Sequence, residues 1–317
     1  MNLDRVFETL TSKHWSYIYR ESAPSSLIEA LKRELPHINP LSWAQRLSWG
    51  GVYVNGRACF GDRPLEAPCR VEYYEPKFDL AEAGHVFPPL KREHIIYEDD
   101  ELIAVFKPAK LPCLPTREQK HFNLRSKLLE YLNTRNSSGT LHLPSRLDTS
   151  ASGLVIASKS ARMHKELQRL FEKRQIIKSY LLETPGRVDW DETQVNLPIG
   201  KDSRHPVLRK VVQDGGKDAV TTFHFLYGSE FNPQDGPAIE TSILCAKPLT
   251  GRTHQIRVHA LTLEGPIIGD NFYGGLPAGN LHLLSYQLQF KHPFTHKTMD
   301  IRVPDGLFPP WLDPSRL

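Results

Sequence analysis

Arg146 and Asp148 stand two residues apart in Pro144-Ser-Arg-Leu-Asp-Thr-Ser-Ala-Ser-Gly-Leu-Val-Ile-Ala-Ser-Lys159. The segment sets a guanidinium and a carboxylate at the mouth of an apolar run that ends in a lysine. Asp148 lies between a leucine and small hydroxyl residues, which can lock a backbone by hydrogen bonding but neutralise no charge. This is the layout of one positioned carboxylate, not of a paired acid–base dyad. Such a group acts as a nucleophile or as a base, and the residues leave both roles open. Taken alone, an Asp after Arg-Leu reads as a turn or helix-cap residue. On a strand, the spacing puts Arg146 and Asp148 on one face; in a loop, it puts both at the entrance to a site.

Other residues with chemical capacity lie downstream. Tyr180 opens an apolar strand pattern, and its ring can stack while its hydroxyl exchanges a proton. Arg252 and Arg257 sit in Leu249-Thr-Gly-Arg-Thr-His-Gln-Ile-Arg-Val-His259. They are five apart and need not share a face. Gly251 is read as permitting the turn before them. His254 and His259 are also five apart, with no carboxylate or cysteine cluster nearby, so no metal site is expected. Hydrolysis of a sugar bond would want two flanking carboxylates. Asp270 is the single candidate for the second, and it reads as a turn residue supporting the core.

The elements that must position these residues fall in two parts. Ser25-Ser26 opens a short helix, Trp43–Trp49 a second one ended by Gly50-Gly51, and Val52-Tyr-Val-Asn-Gly56 a strand entering an Asn-Gly turn. Arg70–Tyr74 is its candidate returning strand. Residues 1–80 are expected to form a small module of helices plus a hairpin, 81–92 a linker, and 93–317 the catalytic domain. Residues 94–108 give two strands around an acidic turn. Met163, Leu167, Leu170 and Phe171 recur at helical spacing. Residues 178–183, 219–227 and 240–246 read as strands. Strands and helices mix without strict alternation, which points to α+β rather than a doubly wound fold.

Taken in order, these segments resemble the RluA-type pseudouridine synthases. The Asp148 stretch is similar to that family's H-R-L-D-x-x-T-S-G-L-L-L-x-A-K motif. Tyr97–Ala109 resembles its first motif, Lys178-Ser-Tyr180 its K-x-Y segment, Arg204–Lys210 its basic middle loop and Leu249–His259 its third motif. Gly265–Gly274 and Leu281–Ser285 close the set, over roughly residues 94 to 306. The N-terminal order resembles a small RNA-binding module first described in a ribosomal protein. The resemblance implies a largely antiparallel mixed sheet flanked by helices, cofactor-free isomerisation of uridine in structured ribosomal or transfer RNA, and Asp148 as the essential carboxylate. It implies that Tyr180 is the active-site tyrosine, that Arg257 pairs with Asp148, and that Arg146 fills the space left by a flipped uridine. Arg252 is left as scaffolding or an RNA contact. Four places depart from the pattern: Ser145 replaces histidine, Ala151 replaces threonine, Lys110 replaces glycine, and Leu114-Pro-Thr116 replaces Val-His-Pro. The departures beside Asp148 are what would favour a second class, a non-catalytic RNA-binding or chaperone protein on the same fold.

The bulk properties agree with a soluble globular chain. Its 317 residues carry a net charge of +4, with 39% hydrophobic and 24% charged residues, enough for a sizeable core. The basic charge is mild but uneven: Lys159 to Lys178 holds seven Lys or Arg against two Glu. Lys165, Arg169, Lys173 and Arg174 on that stretch, with Arg204, Arg209, Lys210, Arg46 and Arg57 elsewhere, are expected to track an RNA backbone. Four scattered cysteines form no C-x-x-C pair. The N-terminal segment lacks the apolar core of a signal peptide and no run suits a membrane span, so a reducing, cytoplasmic setting and a monomer are the expectations.

Overall fold

The computed structural model describes residues 11–20, 25–38, 43–49, 52–59, 61–76, 90–115, 123–133, 141–202, 208–233, 236–263 and 265–317. Contacts divide the chain into two units, 1–89 with 114–126, and 90–113 with 127–317. Most of the expected linker, 81–89, lies outside the described residues, as do Arg204 and the side chain of Arg57.

The first unit holds β1 (Thr11–Tyr19), α1 (Leu27–Glu34), α2 (Trp43–Trp49), β2 (Val52–Val54), β3 (Arg57–Ala58) and β4 (Cys69–Pro76). Its sheet runs β1-β4-β2-β3 and is antiparallel throughout. Ser26 caps α1 in a reciprocal box with Glu29, which satisfies two otherwise orphaned amide donors. Asn55 and Gly56 take φ of 50° and 71°, the left-handed pair a tight hairpin needs. The immediate return of that hairpin is β3, while Arg70–Tyr74 belongs to the longer β4 on the other side of β2. The β1 strand was not expected. Its Trp15, Tyr17 and Tyr19 alternate onto the core formed by Leu27, Leu31, Trp43, Val52 and Tyr73, the period of two of a half-buried strand.

The second unit contains β5 (Ile95–Glu98), β6 (Leu102–Lys107), β7 (Ser152–Ser158), α4 (Ala161–Glu172), β8 (Ile177–Pro185), β9 (Glu192–Asn196), β10 (Ile199–Lys201), β11 (Arg209–Val211), β12 (Val220–Phe231), β13 (Ile239–Pro248), α5 (Gln255–Leu261), β14 (Leu283–Lys291) and β15 (Thr298–Arg302). Between β6 and β7, α3 (Leu124–Asn133) straddles the division. The main sheet runs β5-β6-β7-β14-β8-β13-β12-β9, with β15 on β14. Among the described strands only β7 and β14 pair in parallel. The α+β expectation, a mixed and largely antiparallel sheet flanked by helices, holds here.

Side chains alternate across this sheet and build two cores. One face gathers Ala104 and Phe106 of β6, Ile156 of β7, Leu181 of β8, Ile243 of β13 and Leu284 of β14 under Met163 and Leu167 of α4. The other gathers Leu182, Phe223, Leu244 and Leu283 under Ile256 and Ala260 of α5. Gly153, at φ +111°, is where β7 meets β14: a Cβ there would lie 2.3 Å from the Ser285 carbonyl oxygen, so the close parallel pairing demands glycine. Among the described residues, no helix is long and apolar enough to cross a membrane.

Candidate active site

Asp148 lies in the loop that leads into β7, on the α5 side of the sheet. Its backbone oxygen accepts from Ala151 N–H at 3.2 Å, closing a tight turn. The loop is tied down from beneath by Lys107. That lysine is fully buried, and its ammonium donates to the carbonyl oxygens of Leu111 (2.8 Å), Ala151 (2.7 Å), Pro108 (2.9 Å) and Thr149 (3.2 Å). Burial lowers its pKa to about 8, with Cys113 and Asp148 opposing. Cys113 adds a second tie, its sulfur lying 3.3 Å from both the amide nitrogen and the carbonyl oxygen of Leu147.

Asp148 presents a carboxylate that is 26% exposed. Its Oδ2 accepts from Arg257 Nη1 at 3.3 Å, and among the described residues Oδ1 accepts no hydrogen bond. Arg257 is 3% exposed and comes from α5. Its other two nitrogens, Nε and Nη2, donate to Oδ2 and Oδ1 of Asp270 at 2.7 and 2.6 Å. Burial opposes that charge, but the hydrogen bonds and charge of Asp270, followed by Asp148, hold the guanidinium above its ordinary pKa. Asp270 is itself buried and accepts from the amides of Phe272 and Tyr273 at 3.1 and 3.3 Å. The aromatic rings of those two residues lie 5.0 and 5.1 Å from the guanidinium. Asp148, so held, is oriented while one oxygen remains open.

Tyr180 stands on β8 opposite Ser285 of β14 and Ala246 of β13. Burial pushes its hydroxyl up to about 12; a hydrogen bond with Ser285 opposes this and the charge of Asp148 adds to it. The phenol is therefore neutral near pH 7. Tyr180 and Leu147 both pack against the core cluster that holds Leu182, so the Asp148 loop and an aromatic ring on which a base can stack share this face of the sheet.

The RNA pseudouridylate synthase family matches residues 101–262. The chain belongs to that family. It is 34% identical over 220 residues to the dual-specificity RNA pseudouridine synthase RluA of Vibrio parahaemolyticus, covering 68% of this chain and 84% of that one. It is 31% identical over 290 residues to an uncharacterized RNA pseudouridine synthase of Aquifex aeolicus, covering 86% and 88%. The solved structure of human RNA pseudouridylate synthase domain containing 1 has the same fold, with a TM-score of 0.55 at 23% identity over 68% of this chain and 84% of that one. The chain is accordingly an RluA-like isomerase that converts uridine to pseudouridine in RNA.

The family's RNA substrate gives meaning to where the remaining expected residues lie. Arg146 is exposed at the lip of the Asp148 loop, and its guanidinium makes no hydrogen bond or ion pair with the described residues. The loop geometry, not a strand, puts it beside Asp148. Arg252 donates from Nε to the Asp218 carbonyl oxygen at 2.9 Å. Arg209 donates its amide to the Tyr273 hydroxyl at 3.1 Å, so β11 borders the site, with Lys210 exposed next to it. Lys165, Arg169, Lys173 and Arg174 do not gather with Asp148. They are exposed on and just beyond α4, which packs on the opposite face of the sheet. Arg46 is drawn inward within the first unit, with its Nη1 on the Tyr73 hydroxyl and its guanidinium 5.9 and 5.7 Å from the rings of Trp43 and Tyr73.

Two sequence readings need correction. Asp270 is more than a turn residue: it is the main partner of Arg257. Gly251 is not the special backbone position of its motif. Its φ lies outside the left-handed region, and a Cβ would meet only the Lys178 ammonium, at 3.6 Å. The left-handed residue is His254, at φ 57°. The other histidine, His259, is buried against Thr221 Oγ1 (2.9 Å) and the Leu197 carbonyl oxygen (3.1 Å), a structural tie. Among the described residues no three metal-ligating side chains gather.

Proposed function

We propose that this chain isomerises a uridine in structured ribosomal or transfer RNA, with Asp148 as its essential carboxylate. The observation that carries this reading is the half-open Asp148: one oxygen is held by Arg257, the other accepts no hydrogen bond among the described residues, and the carboxylate is partly exposed. The reaction breaks the bond from ring nitrogen to sugar, turns the base and remakes the bond to carbon. Oδ1 of Asp148 is the group that attacks or deprotonates the sugar or base. Arg257 keeps the carboxylate aimed. Tyr180 supplies a ring for the detached uracil, and the apolar surroundings limit the entry of water. A stacked uridine must leave its helix to reach this site. Arg146, free at the lip, fits the part of the group that takes its place and stacks on its neighbours. Arg209 and Lys210 border the same opening and, with Arg252 before α5, suit contacts to phosphate. The first unit is the RNA-binding module of this reading, joined through residues 81–92, and the cytoplasm is its setting.

The test is tritium release from cellular RNA labelled at carbon five of uridine and taken from a strain lacking this protein. Wild-type chain should release tritium, whereas Asp148→Asn should fold and bind the RNA but release none. Release by Asp148→Asn at the wild-type rate would remove Asp148 from the chemistry. Binding without release by either chain would favour the non-catalytic reading. Sequencing of the product then locates the uridine.

A further inference from the structure

Three observations converge on His254, a residue to which no role has so far been given. It is buried (7% exposed) yet holds a left-handed backbone at φ 57°, directly before α5. Such a conformation costs a non-glycine residue of order 1 kcal/mol and persists where its surroundings impose it. Its Nδ1 lies 2.8 Å from the hydroxyl of Tyr273. Its Nε2 faces Oδ2 of Asp148 at 4.0 Å, the same oxygen that Arg257 holds.

The hydrogen-bond inventory assigns the tautomer. Tyr273 Oη receives the Arg209 N–H, and that amide can only donate. If Nδ1 also donated to Oη, the phenol proton of the half-buried Tyr273 would have no acceptor among the described residues. The arrangement that satisfies every group sends the Tyr273 proton to Nδ1 and leaves the imidazole proton on Nε2, pointing at Asp148. Burial also keeps the ring neutral, lowering its pKa to about 4 against the pull of Asp148.

We propose that Tyr273 and His254 form a positioning pair that presents a neutral Nε2–H dipole to Asp148. Neutrality matters to the chemistry. Asp148, Arg257 and Asp270 together carry one net negative charge. A cationic histidine would cancel it and weaken Asp148 as a nucleophile or base. A neutral donor orients Oδ2 and leaves the charge available at Oδ1. At 4.0 Å the contact is a charge–dipole interaction across a short gap rather than a formed hydrogen bond. Neither residue need touch the RNA.

This inference rests on the proposed role of Asp148, and the experiment separates the two. Nitrogen-15 spectra of the imidazoles in the full chain should show His254 as the Nε2–H tautomer, neutral from pH 8 down to pH 5. Tyr273→Phe should release the lock and give a mixture. In turnover on labelled RNA, His254→Ala should lower kcat by about 10- to 100-fold with KM changed less than about threefold, the loss expected for one donor to a charged group. His254→Gln can return an N–H to the Nε2 position and should restore kcat to within about fivefold. A proton on Nδ1 in the wild-type spectrum would overturn the proposal without any variant having to fold. Wild-type kcat in His254→Ala, or Gln no better than Ala in a folded protein, would also overturn it. If Asp148→Asn retains full turnover, the reading of Asp148 itself has failed, whatever His254 does.

Discussion

Asp270 grips Arg257 with both carboxylate oxygens, at 2.7 and 2.6 Å, while Asp148 receives a single bond from the same guanidinium at 3.3 Å. The shorter, bidentate contacts go to the fully buried acid, so Asp270 fixes the arginine and the arginine in turn fixes Asp148. Removing one partner of a buried pair leaves its charge uncompensated, at roughly 3 kcal/mol or more. Asp270→Asn should therefore lower both stability and kcat, while Asp148→Asn lowers kcat with little loss of stability. Melting curves beside tritium release distinguish these outcomes. Equal stability of Asp270→Asn and wild type would demote the bidentate pair.

Lys107 carries a related prediction. Its ammonium satisfies four carbonyl oxygens, two of them in the turn that follows Asp148. Lys107→Met keeps the length of the side chain but strands those acceptors, each costing about 1 to 3 kcal/mol when buried and unpaired. The variant should melt well below wild type and, at a temperature where it is folded, lose kcat because the turn loosens. Binding of unmodified RNA should persist. Unchanged turnover in folded Lys107→Met would separate the clamp from the geometry of Asp148.

The ordered motifs made the family and the contact of Arg257 with Asp148 legible, since each motif is a contiguous segment whose residue types survive in one dimension. What stayed hidden depends on pairing across the fold. The partnership of Arg257 with Asp270 needs the α5 segment and the Gly269–Gly274 turn side by side, and nothing local to Asp270 distinguishes it from an ordinary turn acid. The clamp of Lys107 was hidden for the same reason: four carbonyls have no sequence signature. The placement of the α4 cations was hidden too. Charge density is readable along a helix, but the face of the sheet on which the helix packs is set by the crossover from β7. The β1 strand was legible in principle, through alternating Trp15, Tyr17 and Tyr19.

That placement of α4 yields its own test. Lys165, Arg169, Lys173 and Arg174 point away from the face bearing Asp148, whereas Arg146, Arg209 and Lys210 flank the opening. Neutralising Lys165 and Arg169 together to Gln should leave kcat/KM within about twofold, as ordinary surface changes do. Arg209→Gln with Lys210→Gln should weaken RNA binding and flatten its salt dependence. A larger loss from the α4 pair would mean that the RNA reaches around the sheet edge.

Lys110 stands where the family has glycine, and the backbone explains the preference: φ is 67°, in the left-handed region, on an exposed residue. A side chain there costs about 1 kcal/mol, partly offset by the greater freedom of glycine in the unfolded chain. Lys110→Gly should raise the melting temperature by about 1 to 3 °C with turnover unchanged. A fall in melting temperature would show that the lysine side chain contributes more than its backbone strain costs.

The buried His254 predicts how acid affects the fold. Its pKa is about 4 in the folded chain against an ordinary 6.5, with burial outweighing Asp148 and Asp270, which raise it; Arg257 and Arg209 lower it further. The unfolded chain thus binds the proton first as pH falls. The stabilising contribution is complete above pH 6.5, declines through the window from 6.5 to 4, and is lost below it. That window corresponds to roughly 3 kcal/mol. His254→Gln cannot titrate, so its loss of urea stability between pH 7.5 and 4.5 should be smaller than that of wild type by about 2 kcal/mol. The carboxylates common to both proteins cancel in this comparison. Identical acid sensitivity would mean that His254 accepts its proton without penalty, and the imidazole facing Asp148 would then be a cation in mild acid rather than a neutral donor.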